Sequence, residues 1–143
     1  MFVLDGFDTD AFVRTTLAED LGDKGDVTSN AVIPVEARFR AVMGTRDAIT
    51  VAGLEIAAAF FRALDPDVAI ELLVADGATV PRGTELMRLE GSARAMLTAE
   101  RSALNTAQHL SGIATLTRAY VDRIAGTGAT LLDTRKTIPG LRR

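Results

Sequence analysis

The stretch from Ser92 to about Ile124 constrains this chain most. Met96, Leu97, Leu104, Ala107, Leu110, Ala114 and Leu116 recur there at helical spacing. Ser92 is placed to cap the helix, and Gly112 is expected to break or kink it. A helix with one long apolar side needs a layer to pack on. The preceding residues read as that layer. Asp8 can cap a helix over about Ala11 to Leu21, with Phe12, Val13 and Leu17 on its apolar face. The turn-rich segment "LGDKGDVTSN" should stop it. Ala37 to Thr45 alternates as a strand, with Phe39, Ala41 and Met43 on one face and Arg38, Arg40 and Val42 on the other. Ala48 to Val51 is a second short strand. Leu54 to Leu64 is a helix ended by Asp65-Pro66, and Val68 to Val74 is a strand. "DGATVPRGTELMRLEG" reads as turn, strand, turn, strand, with glycines that fit hairpin turns. The order is α+β, which implies a sandwich.

After the long helix, "AGTGA" turns the chain into an expected strand from Ala129 to Leu132. This strand runs into "DTRKTIPG". A helix followed by a strand is how a parallel α/β unit opens, and such a unit needs neighbouring strands. The expected organisation is therefore a sandwich domain over 1–111 and the opening of a second, unfinished α/β domain over 112–143.

Charge and residue usage narrow the function. Residues 1–87 hold 7 basic and 15 acidic side chains, a net −8, while residues 88–143 hold 9 and 4, a net +5. An acidic front and a basic back suggest that the second half meets an anion, or the first half of another copy. Of the 16 basic residues only Lys24 and Lys136 are lysines. Arginine offers a planar fork suited to carboxylate and phosphate, although GC-rich coding would leave the same skew. Cysteine is absent, which removes disulfides and thiolate metal sites and fits a cytoplasmic setting. No apolar run is long enough to span a bilayer, and the start MFVLDGFD lacks the basic region of a signal peptide. With a sequence pI near 5.1 and one tyrosine, nothing points to nucleic-acid readout.

Three segments carry candidate chemistry. At the mouth of the expected last strand, Arg135 and Lys136 could hold a dianion, the first as a fork and the second as a point charge, with a hydrogen bond from Thr134. The plain alternative is a solvated strand end. On the long helix, Arg101, Asn105, Gln108 and His109 share one stripe bordering Leu97 and Leu104. Such a stripe suits the rim of a pocket or interface, or simply a solvated face. His109 could be a general base, but a structural role is the simpler reading. Glu19, Asp20, Asp23 and Asp26 crowd "EDLGDKGDVTS" without EF-hand ligand order, so a capped acidic helix end is favoured over a metal loop.

"AEDLGDKGDVTS", "RLEGSARAMLTAERSALNTAQHLSGIAT" and "DTRKTIPGLR", in that order and spacing, resemble quinolinate phosphoribosyltransferases. The resemblance runs from roughly Leu17 to Arg143. It implies an α+β N-terminal sandwich, hammerhead-like, followed by the beginning of an α/β barrel, truncated. It also implies an enzyme of NAD biosynthesis. Such an enzyme moves a phosphoribosyl group from phosphoribosyl pyrophosphate, bound with Mg²⁺, to quinolinate. Nicotinate mononucleotide, pyrophosphate and carbon dioxide result.

By that resemblance Arg101 reaches across a homodimer towards quinolinate. Thr134 and Arg135 bind quinolinate, and Lys136 is the catalytic cation beside the reacting phosphoribosyl and pyrophosphate groups. The remaining family features are expected beyond Arg143: a His-Arg pair, a further lysine, acidic residues near ribose and magnesium, and Gly-rich phosphate segments. This chain alone is therefore expected to be inactive. Paralogous pyrophosphorylase-like proteins and nicotinate phosphoribosyltransferases are the neighbouring alternatives. A biotinyl-carrier-like binding module is the alternative from another class. The hairpin region lacks the lysine a carrier would modify.

Overall fold

The computed structural model of the chain describes residues 6–134 together with 136 and 137. Helix α1 spans Thr9–Leu21. Its cap is the one read from sequence: the Asp8 carboxylate accepts from the Ala11 backbone N–H at 2.8 Å. Val13 and Leu17 are its buried residues. A 3₁₀ turn over Gly22–Lys24 follows. The chain then forms a helix where only a turn is expected, α2 over Val27–Val32. Its cause is local. The Asp26 carboxylate accepts from the Ser29 backbone N–H at 2.8 Å and satisfies a donor that the first turn leaves orphaned.

Strand β1 spans Arg38–Gly44, β2 Ile49–Thr50, β3 Ala69–Leu72, β4 Thr79–Val80 and β5 Glu85–Ser92. β5 is the centre of an antiparallel sheet in the order β1-β5-β3. Its register sets Met87 opposite both Met43 and Leu72, and Leu89 opposite both Ala41 and Ile70. Ala41 and Met43 of the expected face are thus matched into one apolar surface, whereas Phe39 lies opposite Gly91 and is exposed. The expected hairpin between β4 and β5 does not form. β4 pairs instead with β2 in a separate two-stranded sheet. Turn residues fix the local bend but not the partner, and here the better partner lies upstream.

Helix α3 spans Leu54–Leu64, the bounds expected from its apolar period and from Asp65-Pro66. It lacks a cap of its own. Asp76 supplies one from a distant turn, accepting from the N–H groups of Gly53 at 2.7 Å and Leu54 at 3.1 Å. Gly53 sits at φ +88°, and a Cβ there would lie 2.6 Å from Leu110 Cδ1. Gly91 is the other close approach: a Cβ would meet Asp65 Oδ2 at 2.6 Å. That Asp65 oxygen accepts from Ser92 N–H at 2.7 Å and so joins the end of α3 to the start of the long helix.

The long helix α4 spans Ala93–Ile124 without interruption, so Gly112 is not a break. An isolated glycine costs a helix only about 1 kcal/mol relative to alanine. Its neighbours more than offset that. Ser111 Oγ accepts from Ala52 N–H at 3.0 Å, and Thr115 Oγ1 accepts from Thr50 N–H at 2.9 Å. Thr115 serves the backbone of β2 and Ser111 that of Ala52 just beyond it, and together they fasten α4 there. α4 also packs on α3 through small residues, with Ala57, Ala58, Ala99 and Ala103 all inaccessible to solvent.

Residues 129–134 do not form the expected strand. Strand geometry depends on a neighbour that completes the hydrogen-bond ladder. None of the described strands lies beside this segment.

Candidate functional site

The first turns of α4 and the segment Asp20–Ile33 face one another. Three α4 residues spaced four and three apart hold that segment along one side of the helix. Arg94 donates from Nε to the Ile33 carbonyl at 2.7 Å and from Nη2 to the Asn30 carbonyl at 3.1 Å. These contacts cover carbonyls at the end of α2. Thr98 donates from Oγ1 to Asp26 Oδ2 at 2.8 Å. Arg101 Nη1 lies 3.5 Å from Asp20 Oδ1. Hydrogen bonds from Ser29, and then from Thr98, hold the Asp26 carboxyl below the usual carboxylate range. Asp26 is therefore an ionised fixture of the wall rather than a free acid.

Between these elements lies an open cleft of about 740 Å³, with Val27, Ser29, Leu97, Arg101, Leu104 and Asn105 among its lining residues. Arg101 is the cation of this cleft, and its side chain is 75% exposed. Asn105, Gln108 and His109 are exposed with it, as the helical stripe requires. A guanidinium beside exposed Leu97 and Leu104 can bind an acid that carries an apolar ring.

The other expected site residues are placed separately. Thr134 and Lys136 are exposed and do not line this cleft. Lys136 backbone N–H donates to Thr134 Oγ1 at 3.2 Å. Arg135 lies outside the described residues. The acidic segment divides its roles: Asp26 caps α2 and Asp20 meets Arg101. The cap has a local signal, an aspartate placed directly before the helix. The pairing of Asp20 with Arg101 joins two elements far apart in sequence and has no local signal. Nor do the bonds from Ser111 to Ala52 and from Thr115 to β2.

Comparison with known proteins gives this geometry its context. The family model described as quinolinate phosphoribosyl transferase, N-terminal domain, matches residues 26–111. The model of the C-terminal domain matches residues 113–143. A rice chloroplastic nicotinate-nucleotide pyrophosphorylase (carboxylating) is 40% identical over 136 residues, covering 95% of this chain and 36% of that protein. The Mycobacterium leprae nicotinate-nucleotide pyrophosphorylase is 39% identical over 135 residues, covering 91% of this chain and 46% of that protein. Among solved structures, the nicotinate-nucleotide pyrophosphorylase from Francisella tularensis superposes with a TM-score of 0.86 at 36% identity, over 98% of this chain and 50% of that one. The Ehrlichia chaffeensis enzyme gives 0.88 at 36% identity, over 95% of this chain and 49% of that one. The chain thus spans about half or less of the length of the relatives it matches. The family models together match nearly all of residues 26–143, and the chain belongs to the quinolinate phosphoribosyl transferase family.

Proposed function

We propose that this chain supplies the N-terminal part of a quinolinate phosphoribosyltransferase, and that Arg101 in its open cleft is a binding group for the acceptor acid. Quinolinate carries two adjacent carboxylates on a flat ring. Arg101 would take one carboxylate as a fork, beside the apolar surface of Leu97 and Leu104. Thr134 and Arg135 would hold the acid from a second wall, and Lys136 would face the diphosphate. In the reaction the ring nitrogen bonds to C1 of the ribose as the bond from C1 to the pyrophosphate oxygen breaks. The departing oxygens gain negative charge, which Lys136 is suited to stabilise. The ring carboxylate next to the nitrogen then leaves as carbon dioxide, and the ring carbon keeps the electron pair of the broken bond and takes a proton from water.

Magnesium would arrive bound to the diphosphate. Among the described residues no three acidic or histidine side chains gather to hold a metal. What this chain itself brings to the anionic groups is its cations, Arg101, Arg135 and Lys136.

The single observation that carries the reading is an exposed Arg101 in an open cleft within a chain of this family. The reading takes the site to be shared in a homodimer, with Arg101 of one copy completing the site of the other, as the family resemblance implies. Among the described residues no helix is long and apolar enough to cross a membrane.

The test uses a family-length polypeptide that carries residues 1–143. Nicotinate mononucleotide formation is expected with quinolinate and not with nicotinate. Arg101→Ala and Lys136→Ala are each expected to abolish most of it. Mixing the two impaired variants should raise activity through hybrid dimers, while the residual turnover of Arg101→Ala at high quinolinate still gives its KM. Preference for nicotinate, or full activity in Arg101→Ala, sinks the assignment. The 143-residue chain by itself is expected to form no product.

A further inference from the structure

We propose that Asp20 is a positioning residue for Arg101, holding the guanidinium over the cleft for an acceptor carboxylate. The inference rests on the reading of Arg101 as an acceptor-binding group. It concerns a residue to which no role in that site has been given.

The two partners differ in freedom. Arg101 is long and its side chain is 75% exposed, whereas the Asp20 side chain is 27% exposed. Asp20 stands near the end of α1, whose Val13 and Leu17 are in the core. Just beyond it, Asp26 is bound to Thr98 at 2.8 Å, and Arg94 holds the Ile33 carbonyl at 2.7 Å. The segment carrying the acid is thus anchored on α4 at two points that do not involve Arg101. The acid is fixed and the cation is free to move.

The closest approach of the pair is from Asp20 Oδ1 to Arg101 Nη1, at 3.5 Å. A guanidinium has five N–H donors in a rigid fork, so one carboxylate neighbour leaves donors for a second. Among the described residues no other acid pairs with Arg101. An unrestrained arginine would sample many rotamers and lose that freedom on binding. One held by Asp20 presents its fork already aimed. An ordinary surface ion pair would do little for the protein's stability. The expected effect is therefore on binding and not on folding.

The experiment measures Asp20→Ala, Asp20→Glu, Arg101→Ala and the double variant in a family-length polypeptide carrying this chain, with melting temperature beside the kinetics. Asp20→Ala is expected to raise KM for quinolinate about fivefold, the scale of a single exposed charge pair. KM for phosphoribosyl pyrophosphate, kcat and melting temperature should hold. Asp20→Glu should recover most of the loss. In the Arg101→Ala background the loss of Asp20 should change nothing further. Asp20→Asn, uncharged and of the same shape, gives the same reading should the alanine variant unfold.

A quinolinate KM that stays level or falls on removing Asp20, while Arg101→Ala raises it, overturns the positioning role and leaves the acceptor site standing. The same holds if Asp20→Ala has equal effect with and without Arg101. An Arg101→Ala variant with unchanged KM overturns both.

Discussion

The two halves of α4 are one helix with opposite surroundings. From Ala93 to Ser111 the residues turned inward are small or flexible, and Met96, Ala99, Ala103 and Ala107 are buried. Beyond Gly112 most of the apolar residues are large, and Ile113, Leu116, Tyr120 and Val121 are exposed. Both halves satisfy the helical period, so the period does not distinguish them. Side-chain size does. Alanines in the front half let α3 approach closely, with its own Ala57 and Ala58 at the contact. Large residues in the back half carry more apolar area, and among the described residues no element packs over them. A helix can therefore be fixed firmly at one end by a thin seam while its more hydrophobic end is uncovered.

The contrast can be broken first at the seam. Met96 is 3% exposed and part of the core. Met96→Ala is expected to cost about 2–5 kcal/mol, the range for emptying a buried site of that size. Ala103→Leu should cost about 1–3 kcal/mol by forcing side chains into a space already filled. Urea unfolding followed by circular dichroism measures both. A loss below about 0.5 kcal/mol for either would mean that the front half packs no more tightly than the back.

The junction between the halves comes next. Ser111 is buried and serves Ala52 as both acceptor and donor. Ser111→Ala leaves the Ala52 backbone groups unserved and is expected to cost about 1–3 kcal/mol. Amide hydrogen exchange at Ala52 should speed up with it. Unchanged protection there counts against a fastening role for this side chain.

How much of this arrangement is legible in the sequence follows from how local each cause is. α3 is legible to the residue because its apolar period and the Asp65-Pro66 stop are both local. The inward face of β1 is legible from alternation. α2 is not, although its cap Asp26 stands in plain view, because one turn of helix among glycines and acids has no period. The hairpin expected of β4 and β5 fails because turn residues set a bend and not a partner. Gly112 suggests a break, but Ser111 and Thr115 bind backbone far upstream, at Ala52 and Thr50, and that leaves no pattern around the glycine. At the site, the polarity of the Arg101 stripe is visible, while its pairing with Asp20 depends on how α1 and α4 cross. The strand expected at Ala129 fails for the same reason in reverse: its local pattern is apolar, but no described strand pairs with it.

A smaller effect concerns the tie between α2 and the front half. Hydrogen bonding, from Ser29 first, holds the Asp26 carboxyl below its usual value near 3.8. A carboxyl with a lowered folded-state pKa stabilises the fold above its unfolded value. That contribution disappears as pH falls through the lower folded value. Acid should therefore loosen α2 from α4 below about pH 4. Asp26→Asn can still cap the helix but does not titrate. The variant should be less stable than the parent at about pH 7 and should lose less of its stability between about pH 5 and 3. Equal acid sensitivity of the two proteins would assign the loss to other carboxylates.

The smallest expected change sits in the back half. Leu116 is 61% exposed. Leu116→Ala should alter the stability of this chain by no more than about 0.5 kcal/mol, since little area is taken from water there. Its neighbours Ile113, Tyr120 and Val121 follow the same turn-by-turn spacing, so the same expectation holds for them. A cost nearer that of Met96→Ala would mean that this face is covered in solution. Sedimentation at rising protein concentration then separates a second copy from a fold-back within the chain, because only a second copy makes the cost depend on concentration. The contrast between the halves survives only if the large residues are inexpensive to lose and the small ones are costly to enlarge.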